Sequence, residues 1–196
     1  MALKSSARPE TRVAFLPITP NDVGFVGVPT NLMMRVGNRV LNTLTHAPDH
    51  SLVGPDAVRA AMRQTPTLDE NLECWLKPSS VPDADRTQTL ELLALRLSAN
   101  RVVRSRLWYT EEPTRQEGGE GGVVEIRGGQ MRAELELWEL SPLRLIAKEN
   151  GYATYVQTSG VILIVPFYGG TTFGRAVDLA LREGLAKLFR SKPASQ

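Results

Sequence analysis

The chain has 196 residues, with 23 Lys plus Arg against 21 Asp plus Glu and a formal net charge of +2. Hydrophobic residues make up 42% and charged residues 22%, a globular composition that excludes a disordered or fibrous chain. The near-balance of charge removes the electrostatic case for a nucleic-acid partner, and the length suits one domain that needs no metal or disulfide to hold its core.

The single cysteine, Cys74, excludes an internal disulfide and a Cys-based zinc site. It sits in the apolar stretch Leu72-Glu73-Cys74-Trp75-Leu76 and reads as a small packed hydrophobe. No apolar run approaches the ~20 residues of a membrane span. Met1 to Glu10 carries no apolar signal core, so a cytosolic protein and a mature exported domain both fit.

Residues 1–11 are polar and read as a flexible tail, 12–190 as one α/β domain, and 191–196 as a second short tail. The apolar run Val13 to Ile18 predicts a strand buried on both faces. Asn21 to Pro29 is punctuated by Gly and Pro and reads as a loop. Thr30 or Asn31 caps a helix to about Leu44, with Leu32, Met33, Val36, Val40 and Leu44 at helical spacing; Gly37 weakens it by roughly 1 kcal/mol relative to Ala. His50 to Val53 is a short strand, and Pro55 opens a helix with Val58, Ala61 and Met62 on its apolar side. Residues 65–82 are irregular. Asp83 or Asp85 starts a helix through Leu97 that buries Leu90, Leu93, Ala94 and Leu97.

Alternation then takes over. Val103, Leu107 and Tyr109 face inward from a strand whose other face, with Arg104 and Arg106, is wet. Glu111 to Gly122 reads as a polar, Gly-rich loop. Met131, Ala133, Leu135 and Leu137 alternate with Arg132, Glu134 and Glu136, again a solvated polar face. Ser141-Pro142 ends that strand. Asn150-Gly151 reads as a turn between two further strands, Leu143 to Ala147 and Tyr152 to Thr158. Phe173 to Arg190 is an amphipathic helix whose stripe Ala176, Ala180 and Gly184 lets it sit close to a sheet. The order of elements predicts one mixed sheet of about four to five strands flanked by helices.

The search for chemistry is mostly negative. His46 and His50 flank Pro48-Asp49, but no Ser or Cys partner follows a hydrolase pattern. The loop Gly169-Gly170-Thr171-Thr172 before the last helix is a candidate anion site through free N–H groups; it has no lysine and no phosphate-loop motif. The segment Gly160 to Tyr168 reads either as a buried strand over Val161 to Val165 or as an extended loop that exposes apolar surface. Val161, Ile162, Leu163, Ile164, Val165, Phe167 and Tyr168, with Phe25 and Val26, form the candidate interaction surface for self-association or docking.

Several stretches together carry a family resemblance: Arg12 to Pro17, Ser51 to Ala61, Leu97 to Arg106, Met131 to Tyr155 and Gly174 to Leu185. They resemble the bacterial envelope lipoproteins of the CsgG, LpoB and PelC kind, which share a fold with the TolB amino-terminal domain. Asn100 and Ser105 stand where that family more often has Asp and Gly, and Glu139 and Asn150-Gly151 fall near its acidic residue and turn. The resemblance implies a TolB-like α/β sandwich. It implies a non-enzymatic secretion or assembly accessory without cofactor, acting through protein partners and as a homo-oligomer, such as a ring. It places the chain close to a membrane, in the periplasm or at the inner face of the outer membrane; that location rests on the resemblance alone. The alternative is a small-ligand, nucleotide or anion-binding module using Gly169 to Gly174.

Overall fold

The computed structural model describes residues 12–18, 23–25, 29–45, 52–64, 84–119, 122–162 and 165–190, with backbone alone at 23–25, 84–87, 89–90, 119, 161–162 and 165–171. In chain order the elements are β1 (Val13–Phe15), β2 (Val23–Phe25), α1 (Thr30–Thr45), β3 (Leu52–Val53), α2 (Pro55–Arg63), α3 (Ala84–Leu97), β4 (Arg101–Gly119), β5 (Gly122–Leu140), β6 (Leu143–Ile162), β7 (Val165–Thr171) and α4 (Phe173–Arg190). They build a single mixed sheet in the order β3-β1-β4-β5-β6-β7, as the order of elements implies. β1 runs parallel to both β3 and β4, and β4 to β7 form an antiparallel meander. β2 lies beyond β1 along the same side of β4, pairing with Leu107 to Tyr109; β1 and β2 therefore share one position in the sheet.

Period-two alternation in β1 explains the two-sided core. Val13 and Phe15 point to one face, where α1 and α4 pack against Val103, Leu107, Met131 and Leu135. Ala14 and Leu16 point to the other, against Val58, Met62, Leu93, Val102 and Leu140. All of Val13 to Leu16 is 5% exposed or less, as a strand covered on both faces requires.

The helices follow their sequence signals, with one adjustment. Pro55 occupies the first turn of α2, where its missing donor costs nothing. The buried line of α1 is Met33, Gly37 and Leu41, one position round from the apolar set read from the sequence. Leu32 is 36% exposed. Gly37 is there for space: a Cβ on it would lie 2.4 Å from Ile18 Cδ1 and 2.9 Å from Leu107 Cδ1.

Helix α4 has the bounds and the small-residue stripe expected. Ala176, Ala180 and Gly184 are buried, and a Cβ at Gly184 would stand 2.6 Å from Leu135 Cδ1. The facing residue is Gly151, which the structure places inside β6 and not in a turn. A Cβ there would come within 1.9 Å of the Ala180 carbonyl oxygen, so the dipeptide Asn150-Gly151 exists for close approach of helix to sheet. β7 pairs with β6 only from Val156 onward. Beside Gly151 the open edge of β6 is met by α4: Tyr152 N–H donates to Glu183 Oε2 at 2.6 Å and Lys187 Nζ donates to the Asn150 carbonyl at 3.0 Å. Edge groups left over by the ladder thereby find partners.

Two stretches read as loops are strands. Val23–Phe25 pairs with β4, and 111–119 with 122–129 forms the outer half of the β4–β5 hairpin. Thr110 to Gly118 is exposed along its whole length, so no apolar alternation marks it. At the root of this ribbon, Tyr109, Tyr155 and Phe173 meet edge to face with centroids 5.8 to 6.0 Å apart. Tyr109 Oη donates to the Gly128 carbonyl at 3.1 Å. Burial, and then Glu111, Tyr155 and Glu112, push its phenol up to about 12.

Candidate functional site

The polar face of β4, β5 and β6 is not the solvated surface the alternation suggests. Arg104, Glu134 and Glu136 are only 6%, 8% and 7% exposed. The register sets Arg104 opposite Glu136 and Arg106 opposite Glu134, and Lys148 opposite Glu136 on the third strand. Arg106 Nη1 lies 3.1 Å from Glu134 Oε1 and its Nη2 3.8 Å from Glu136 Oε1. Arg104 Nη1 lies 3.9 Å from Glu136 Oε2. Lys148 Nζ reaches Glu134 Oε2 at 2.9 Å and Glu136 Oε1 at 3.4 Å. Trp138 Nε1 donates to Glu136 Oε2 at 3.3 Å. One strand position further, the Arg132 guanidinium stacks 4.4 Å from the centre of the Trp108 ring, a cation–π contact. Every oxygen of both carboxylates is engaged, so these groups clamp three strands together. The sequence signal for this was present, since arginines alternate along β4 and glutamates along β5, but their pairing depends on register.

The edge of the sheet offers a different surface. Phe15, Leu44, Leu52, Leu185, Ala186 and Phe189 line an apolar groove of about 570 Å³ between α1 and α4, with Arg182 at its rim. β3, two residues long, is the terminal strand on this side. Phe189 is 49% exposed although it follows Leu185 and Leu188 in the same helix, both buried. The sequence reading missed this groove because its walls come from four separate elements.

Of the residues singled out in the sequence, Val161 and Ile162 end β6 and Val165, Phe167 and Tyr168 belong to β7, Ile162 pairing with Val165. Their side chains, and Leu163 and Ile164 altogether, lie outside the described residues. Phe25 is in β2; Val26, His46, His50 and Cys74 also lie outside the described residues. Gly169, Gly170 and Thr171 are not a loop: they finish β7, opposite Thr158, Gln157 and Val156. Thr172 caps α4, its Oγ1 accepting from Arg175 N–H at 3.3 Å, as N-cap threonines do. Among the described residues no helix is long and apolar enough to cross a membrane, and no group of three or more His, Cys, Asp or Glu gathers as a metal site.

No family model and no curated protein matches this sequence. Among solved structures the chain is similar to the hypothetical protein CT253 from Chlamydia trachomatis, with 12% identity, 92% of each chain covered and a TM-score of 0.32. It is also similar to the PelC dodecamer from Paraburkholderia phytofirmans, at 11% identity over 92% of this chain and 90% of that one, TM-score 0.37. The C-terminal domain of LpoB from Salmonella enterica is similar at 11% identity over 73% of this chain and 82% of that one, TM-score 0.32.

Proposed function

We propose that this protein is a non-enzymatic accessory of a bacterial cell envelope, working by contact with other proteins and with copies of itself. The observation that carries the reading is the apolar groove beside β3. It leaves Phe189 half-exposed beside the terminal strand of the sheet, where apolar surface open to water marks a contact site. The far edge strand of the sheet, β7, takes in the Val165 to Tyr168 part of the apolar run. The two edges differ, so copies meeting edge to edge form a heterologous contact, the kind that closes into rings. The envelope setting, at the periplasm or the inner face of the outer membrane, is drawn from the sequence resemblance.

Light scattering across the micromolar range tests the reading. The wild-type chain is expected to form an oligomer that Phe189→Asp, on an exposed side chain, reduces to monomer with unchanged far-ultraviolet dichroism. The double variant Ile162→Asp with Ile164→Asp tests the apolar run in the same way. A wild-type chain that stays monomeric throughout overturns self-association.

A further inference from the structure

A second cavity, of about 710 Å³, opens between α1 and α2. It lies past the carboxyl ends of β1 and β3: its lining includes Ile18, three residues after β1, and Asp56, three after β3. β1 and β3 are parallel neighbours. The helix that follows β1 packs on one face of the sheet, and the helix that follows β3 packs on the other. A crevice between such diverging connections is where open α/β sheets take ligands.

The polar side chains in the walls are held in place. Asn38, 5% exposed, accepts from Ile18 N–H at 2.9 Å and donates to the Ile18 carbonyl at 3.4 Å. Asn42 accepts from Asp56 N–H at 3.2 Å and donates to the Asp56 carboxylate. Arg59 Nη2 lies 2.6 Å from Asp56 Oδ1, which neutralises the only acidic group in the lining. Two charges then stand over. Arg35 and Arg39 are the only charged residues in α1, and both line this cavity. They sit four apart on the helix, a spacing at which like charges repel, and among the described residues no carboxylate pairs with either. A guanidinium pair with no carboxylate partner among the described residues, set in a preformed crevice, suits an anion that both forks can grip.

We propose that this cleft binds a phosphomonoester. Guanidinium forks match phosphate oxygens in bidentate geometry, two surplus positive charges match a dianion, and the cavity has the size of a small-molecule site, which leaves room for an organic body beside the phosphate. The site is separate from the apolar groove and does not depend on self-association.

Calorimetric titration of the full chain tests this with three probes: ribose 5-phosphate, inorganic phosphate, and phosphatidylcholine vesicles containing phosphatidic acid. Ribose is the uncharged control. Saturable binding of ribose 5-phosphate is expected, with at least a tenfold loss in Arg35→Gln with Arg39→Gln and none in Arg63→Gln. Arg35 and Arg39 are exposed, so the double variant keeps its fold, checked by its melting curve. Binding to the vesicles in preference to the free sugar phosphate, lost in the same variant, supports the same chemistry with a lipid headgroup as its source. Equal binding of inorganic phosphate and ribose 5-phosphate, lost in that variant, assigns the free ion. No binding to any probe at millimolar concentration, or binding that the double variant retains, overturns the proposal.

Discussion

The contact between α4 and β6 predicts a steep response to a single methyl group. In Gly151→Ala the new Cβ is placed 1.9 Å from the Ala180 carbonyl oxygen and 2.5 Å from Gly184 N. Both are backbone atoms of the helix, so no side-chain rotation clears them. Restoring an ordinary contact near 3.4 Å moves the helix by about 1.5 Å, and gaps of even 0.5–1 Å forfeit a quarter to a half of the dispersion attraction. Val177, Leu181, Leu185 and Leu188 all lose contact with the sheet together. Overpacking commonly costs about 1–3 kcal/mol, and this case belongs at the top, about 3 kcal/mol. At about 2–4 °C per kcal/mol for a domain of this size, the melting temperature falls by about 6–12 °C. Gly184→Ala meets the end of Leu135 at 2.6 Å; that side chain can turn away, so the loss is smaller, about 1–2 kcal/mol. Gly174→Ala, with Val36 Cγ1 at 3.7 Å as its nearest neighbour, is neutral or gains up to about 1 kcal/mol of helix propensity. Urea and thermal unfolding of the three variants give the ranking. A Gly151→Ala protein that melts within about 1 °C of wild type, or that equals Gly174→Ala, refutes the packing account.

Three further outcomes are expected. Glu136→Met leaves Arg104 without its 3.9 Å carboxylate partner and is expected to lower the urea midpoint by the equivalent of about 3–5 kcal/mol; a loss under about 1 kcal/mol contradicts the clamp. Tyr109 has a folded-state pKa raised from 10.0 to about 12, so its contribution to stability is complete below pH 10 and is lost as pH rises toward 12. Tyr109→Phe is expected to flatten that alkaline decline, read from urea midpoints across the interval. Glu183 is held below the usual carboxylate range by Lys187 and then by the Tyr152 N–H. Its contribution is present above the unfolded-state value and fades as pH falls through the folded one; Glu183→Gln is expected to reduce the acid-side slope of the same measurement.

Elements whose burial is written in their own spacing were legible. The stripe of α4 announced both the helix and its close seat on the sheet, and the apolar run at β1 announced a strand covered on two sides. What failed depended on a distant partner. Asn150-Gly151 has the local signature of a hairpin, but its backbone is shaped by α4, reached more than twenty residues later. Glu134 and Glu136 alternate with apolar residues in the manner of a wet face; only the register with Arg104, Arg106 and Lys148 turns them into buried partners. The arginine cleft was invisible because Arg35, Arg39 and Arg59 belong to two helices, and neither helix alone presents a motif.

The length of the meander strands has a mechanical consequence. β4 and β5 hold 19 residues each, about 63 Å at ~3.3 Å per residue, whereas α4 with 18 residues reaches only about 27 Å. The portion past Tyr109 is therefore an arm of about 30 Å, anchored where the rings of Tyr109, Tyr155 and Phe173 interlock. A pivot of about 5° at that anchor sweeps the free end through about 2.6 Å, given an arm of that reach. Force applied at the tip, where β4 turns into β5 and β6 gives way to β7, is thus delivered to the aromatic fulcrum and to the first turn of α4.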